Sequence, residues 1–134
     1  MKTILIIEDE PDIMLAVSMF LEGEGYTVYG AENGFVALEL LKKHDLPHLI
    51  LLDMVMPVMN GWQFASEFLQ LYGRKVPIIV MTAAADAEQR AKDTNANGWI
   101  EKPFSLDSLL VLIKKHERDG VLITDQFIGR GRTL

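Results

Sequence analysis

Cysteine is absent from the 134 residues, which removes disulfides and thiolate metal sites and fits a reducing compartment. Positive charge is scarce: 13 Lys and Arg stand against 19 Asp and Glu, a formal net charge of -6. A chain of that sign is a poor stand-alone binder of nucleic acid or of an anionic membrane, so no direct nucleic-acid partner is expected. Long apolar runs are missing too. The N-terminal run over residues 4–7 stops at Glu8, too short for a secretory signal, and nothing approaches the ~18 apolar residues of a membrane span. There is no internal repeat and no low-complexity tract. These absences leave a soluble cytoplasmic domain without membrane insertion. What is present is an ordinary globular composition, 49% hydrophobic and 24% charged, and one domain of this length can bury roughly two-thirds of the unfolded chain's surface.

Short apolar runs alternate with longer segments of helical period, the pattern of strand-helix units around a parallel sheet. Residues 2–7 read as a buried strand. Pro11 suits a first helical position, and Ile13, Met14, Val17, Phe20 and Leu21 recur at three- and four-residue spacing, predicting a helix that ends near Gly23 and Gly25. Residues 26–30 form a less apolar strand, placed nearer the sheet edge. Asn33 and Gly34 cap a helix through about Lys43 with Val36, Leu38, Leu40 and Leu41 inside, and residues 49–52 give a central strand closed by Asp53. A loop over 54–61 leads into a helix carrying Phe64, Phe68 and Leu71, and Pro77 introduces a strand over 78–81. Residues 84–93 predict a polar, Ala-rich helix, which the helix-poor segment 94–98 leaves short or mobile. Trp99 and Ile100 give a short fifth strand, and Ser105 caps a helix carrying Leu106, Leu109, Leu110 and Ile113. The sum is an α/β domain over residues 1–116, a doubly wound five-stranded parallel sheet with five helices. Residues 117–134 break the rhythm at Gly120, Gly129 and Gly131 and read as a C-terminal tail of unknown structure, basic at Arg130 and Arg132.

Ligands of an open parallel sheet bind beyond the carboxyl ends of its strands. There the chain places Glu8-Asp9-Glu10, Asp53, Thr82-Ala83-Ala84 and Glu101-Lys102-Pro103. Taken singly, the acidic run is a solvated helix start, Lys102 a surface charge and Thr82 a strand-end hydroxyl. Together they make one pocket. Glu8, Asp9 and Asp53 become three carboxylates within a few ångströms, which raise one another's pKa unless a cation neutralises them. Hard oxygen donors without His or Cys favour Mg2+. Asp53 then keeps an oxygen free to attack phosphorus, with Lys102 and the Thr82 hydroxyl opposite to meet the phosphoryl oxygens. His44, His48 and His116 read as surface residues, Met54, Met56 and Met59 as loop packing, and Trp62 as helix packing.

Four segments carry a family likeness: Ile7-Glu8-Asp9-Glu10-Pro11, Leu52-Asp53-Met54-Val55-Met56-Pro57-Val58-Met59-Asn60-Gly61, Met81-Thr82-Ala83-Ala84 and Lys102-Pro103-Phe104. In that order and at helix-length spacing they make residues 2–116 resemble the receiver domain of two-component response regulators, in its single-domain, chemotaxis-regulator-like form. The resemblance implies a flavodoxin-like sheet of order 2-1-3-4-5, with Asp53 as phosphoacceptor. It further implies Asp9 as a direct Mg2+ ligand, Glu8 as a ligand through water, and the Val55 carbonyl as a backbone ligand. Thr82 and Lys102 become the phosphoryl-contacting residues, Thr82 and Trp99 the switch pair, and the peptide before Pro103 cis. Implied partners are a sensor histidine kinase or histidine phosphotransfer protein and a downstream target protein, with the domain a monomer or weak dimer. Chemistry would be limited to self-phosphorylation and self-dephosphorylation. Glu8 stands where this family commonly has Asp, and Trp99 where it usually has Tyr, Phe or His.

Other classes fit less well. An aspartate-nucleophile phosphatase generally needs a second Asp two residues beyond the first, where this chain has Val55. A flavin or nucleotide site on the same fold needs a Gly-, Ser- or Thr-rich loop after the first strand, and the acids over 8–12 would repel a phosphate there. A scaffold with a decayed site would have lost key residues, and none is lost. The eighteen residues after 116 are too few for an output domain, so the expectation is a single-domain regulator or a receiver fragment of a longer one.

Overall fold

The structure, a computed structural model, describes residues 2–83 and 87–128, the last helix beyond residue 117 by its backbone alone. Its strands are β1 (Thr3–Ile7), β2 (Thr27–Ala31), β3 (Leu49–Asp53), β4 (Ile78–Thr82) and β5 (Gly98–Glu101). They form one parallel sheet in the order β2-β1-β3-β4-β5, the flavodoxin-like arrangement. The helices are α1 (Pro11–Gly23), α2 (Gly34–Lys43), α3 (Gly61–Tyr72), α4 (Ala87–Asp93) and α5 (Leu106–Ile128). β3 is buried along its whole length, so its side chains alternate between two cores. Ile50 and Leu52 join Phe64 and Phe68 of α3 on one face, while Leu49 and Leu51 join Val17 and Leu21 of α1 and Leu109 and Ile113 of α5 on the other.

The helix starts follow their capping chemistry. Pro11 opens α1. The Asn33 side chain accepts from the Val36 N–H at 2.9 Å, and Asn60 and Gln63 bond each other's backbone N–H groups at the head of α3. The Ser105 hydroxyl accepts from the Ser108 N–H at 3.0 Å, capping α5. β2 begins at Thr27 rather than Tyr26, because the Tyr26 N–H still bonds the Leu21 carbonyl in the turn closing α1, where Gly25 takes φ +98°.

Other expectations change. Leu71 is exposed; Ala65 and Tyr72 supply the core contacts of α3 instead. His116 is buried rather than superficial, since it follows Leu109 and Ile113 on the inward stripe of α5. Trp62 stands on the outer side of α3, with the Arg90 guanidinium 5.0 Å above its ring. The helix of residues 106–116 continues through Gly120 to Ile128. At the foot of that continuation Glu117 accepts from the Tyr26 hydroxyl at 2.7 Å and pairs with Lys2 at 3.2 Å. α4 is short, as its composition suggests, and Asn95 takes φ +57° just beyond it. Residues 84–86 and 129–134 of the expected helix and tail lie outside the described residues. Among the described residues, no helix is long and apolar enough to cross a membrane.

Candidate functional site

The register aligns the strand ends at one rim, with Ile7 opposite Leu52, Asp53 opposite Met81, and Thr82 opposite Glu101. Backbone bonds carry the chain past that rim in a fixed direction. Glu8 N–H donates to the Ala31 carbonyl at 3.0 Å and Lys102 N–H to the Thr82 carbonyl at 2.8 Å. Residues from three distant stretches of the chain therefore meet. Glu8, Asp9 and Asp53 each place a carboxylate oxygen within 4.8 Å of the others. The Lys102 ammonium lies 2.7 Å from Glu8 Oε1, 3.3 Å from Asp53 Oδ1 and 3.7 Å from Glu10 Oε1.

Charge balance explains the protonation tendencies. Burial, then the neighbouring Glu8 carboxylate, pushes the Asp53 carboxyl up to about 7, against the opposing pull of Lys102. Burial works against the charge on Lys102, but the Glu8 and Asp53 carboxylates outweigh it and raise its pKa. One ammonium thus faces three acids and cannot satisfy all of them. Glu8 Oε2 accepts from the Glu10 N–H at 3.1 Å. Glu8 Oε1, though buried, has no aligned hydrogen bond; the ammonium beside it meets it as an ion pair. A divalent cation fits this donor set. Octahedral Mg2+ holds oxygens at ~2.1 Å, so its ligands lie ~3–4 Å apart, the scale of this oxygen cluster.

The remaining candidates sit around the same rim. Thr82 is buried at the end of β4. Trp99 shares a sheet face with Thr82, because Val80 and Thr82 of β4 pair with Trp99 and Glu101 of β5, but the residue is 42% exposed on the edge strand. Val55 turns its side chain to solvent, leaving its backbone as what it can offer a ligand. Met54 and Met56 are buried and Met59 packs on the core, as loop packing requires. The Lys102–Pro103 peptide is cis. Beside Lys102 opens a cavity of about 480 Å3, lined by Ile13, Val17 and Phe104 and edged by Glu10 and Asp12.

Two features were not legible beforehand. Val58 takes φ +69° while the Met59 N–H bonds the Pro57 carbonyl at 2.8 Å, a γ-turn that no sequence signal announces at a β-branched residue. Arg90 over Trp62 joins helices whose facing surfaces no short-range pattern predicts.

Comparison with known proteins agrees with this geometry. A family model described as the response regulator receiver domain matches residues 4–114. Sporulation initiation phosphotransferase F of Bacillus subtilis is 31% identical over 117 residues, 86% of this chain and 93% of that protein. Transcriptional regulatory protein PdtaR of Mycobacterium tuberculosis is 37% identical over 116 residues, 84% of this chain. This chain spans about half the length of several such relatives, 55% in the case of PdtaR. Among solved structures, response regulator protein TrrA of Thermotoga maritima, in complex with Mg2+ and BeF, superposes with a TM-score of 0.77 at 32% identity, covering 87% of this chain and 99% of that one. Chemotaxis response regulator CheY4 of Vibrio cholerae gives 0.79 at 31%, covering 87% and 98%.

Proposed function

The chain belongs to the receiver domains of response regulators, the phosphoacceptor modules of two-component signalling, and from that premise we propose that Asp53 is the residue that takes the phosphoryl group. The observation that carries this is the juxtaposition of the Asp53 carboxylate with the Lys102 ammonium at 3.3 Å and with oxygens of Glu8 and Asp9. Asp9 and Asp53 would hold Mg2+ directly, with Glu8 through water and the Val55 carbonyl completing the protein ligands; the ion would neutralise the acids and the incoming phosphoryl charge. The similar TrrA was solved with Mg2+ and BeF, and the oxygen-only donors here suit the same cation.

The chain's own residues then do the following. Asp53 Oδ attacks phosphorus, the bond from phosphorus to the donor breaks, and an acylphosphate remains. Lys102 stays paired with the transferred group through its ammonium, and the Thr82 hydroxyl meets a further phosphoryl oxygen. Water later cleaves the acylphosphate, returning the carboxylate and inorganic phosphate. A histidine kinase or histidine phosphotransfer protein is the donor and a downstream protein the target, with Thr82 and Trp99 reporting the new charge to the α4, β5 and α5 face. The module acts in the cytoplasm as a monomer or weak dimer and catalyses nothing beyond its own phosphorylation and dephosphorylation. Residues 1–116 make up this module, and 117–134 extend it. Incubation with acetyl phosphate and Mg2+ followed by intact mass should show one phosphoryl gain. Asp53→Asn should abolish it; a gain that persists in that variant overturns the assignment.

A further inference from the structure

α4 buries little side-chain surface of its own. Its buried side chains are only Ala87 and Ala91, and the Thr94 hydroxyl beyond it bonds back to the Arg90 and Ala91 carbonyls of the same helix. The pairs Glu88–Lys92 and Gln89–Asp93 also stay within it. Two alanine methyls bury little apolar surface, so the side chains of α4 anchor it weakly. α3 is seated in the opposite manner. Gly61, its first residue, is pressed so closely on the phosphoacceptor strand end that a Cβ there would lie 2.8 Å from both the Asp53 carbonyl oxygen and Met54 Cα. Its N–H donates to the Met54 carbonyl at 3.0 Å. Any displacement of the segment carrying Asp53 must therefore be taken up by the first turn of α3. The next residue is Trp62, and over its ring stands Arg90, from the middle of α4.

We propose that the Trp62–Arg90 contact is a releasable latch that couples the Asp53 strand end to α4, by a route separate from Thr82 and Trp99. The proposal rests on Asp53 being the phosphoacceptor. Closed, the latch supplies α4 with a tie to α3 that two buried alanines cannot. When modification of Asp53 shifts the first turn of α3, the ring moves from under the guanidinium and α4 is released. Arg90 and Trp62 are thus positioning residues, touching neither metal nor phosphoryl group.

The chain has two tryptophans, so Trp99→Phe leaves Trp62 as the only indole. In that background, acetyl phosphate with Mg2+ should change the Trp62 emission as phosphorylation proceeds, with intact mass recording stoichiometry in the same sample. Arg90→Gln should abolish that change while the mass gain proceeds as before, and Arg90→Lys should restore part of it, since an ammonium also sits favourably over indole. Hydrogen exchange gives the second readout. Unphosphorylated Arg90→Gln and Trp62→Leu should exchange the α4 amides about two- to fivefold faster than the parent, matching phosphorylated parent, with α1 unchanged. Absence of any mass gain would overturn the phosphoacceptor reading and the latch with it. A full mass gain with unmoved Trp62 emission, an undiminished emission change in Arg90→Gln, or α4 exchange that ignores both variants would overturn the latch alone.

Discussion

At the scale of single residues, Asp53 carries an electrostatic cost. Its carboxyl is pushed from 3.8 to about 7 by burial and by Glu8. A raised folded-state pKa means stability that is complete below the unfolded value and is lost as pH rises through about 7. Asp53→Asn keeps the neutral form throughout. In metal-free buffer it should match the parent near about pH 4 and exceed it by on the order of 2 kcal/mol near about pH 8, read by thermal unfolding at both values. Val58 stores a different cost. A β-branched side chain at φ +69° is strained, and at 79% exposure it gains no packing in return. Val58→Asn, which tolerates positive φ, should raise stability by about 1 kcal/mol, roughly 4 °C in Tm. An unchanged or lower Tm would show that the turn costs the valine nothing.

At the scale of elements, the contacts that position α5 are close and specific. Gly98 of β5 leaves room for His116, whose Nε2 would lie 2.7 Å from a Cβ placed there. Gly98→Ala should therefore force α5 outward or β5 aside, costing about 1–3 kcal/mol in denaturant unfolding; a neutral result would mean that the imidazole turns away freely. These elements also show what the sequence could and could not convey. β1, β3 and β4 were legible because apolar runs of that length in a βα alternation have one physical use, a strand buried on both faces. The caps at Asn33 and Ser105 were legible because a short polar side chain before an apolar stripe is local chemistry. The burial of His116 is not legible in the sequence, because residue type argues for the surface while its position, seven after Leu109, argues for the core. Leu71 departs the other way. It is apolar, but α3 buries its Gly61, Phe64, Ala65 and Phe68 stripe, and hydrophobicity alone does not settle which side of a short helix faces the sheet.

At the scale of the whole molecule, function follows from a topology that gathers strand ends. Glu8 and Asp9 lie more than forty residues from Asp53, and Lys102 lies a further forty-nine beyond it, yet parallel pairing in the order β2-β1-β3-β4-β5 sends every carboxyl end to one rim. The site was legible for that reason: each member stands at or just beyond the carboxyl end of a strand. What depended on contacts between helices, the Arg90–Trp62 pair above all, had no local signature.

The claim on which the rest depends is that three carboxylates and one ammonium form a single divalent-ion site at the phosphoacceptor. Calorimetric titration of the intact protein with MgCl2 near about pH 6 and about pH 8 tests it most directly. One ion should bind, more tightly at the higher pH because proton and metal compete for Asp53, and Asp9→Asn and Asp53→Asn should each weaken binding at least tenfold. Magnesium that leaves the protein indifferent at both values, or binds both variants as tightly as the parent, would contradict the account.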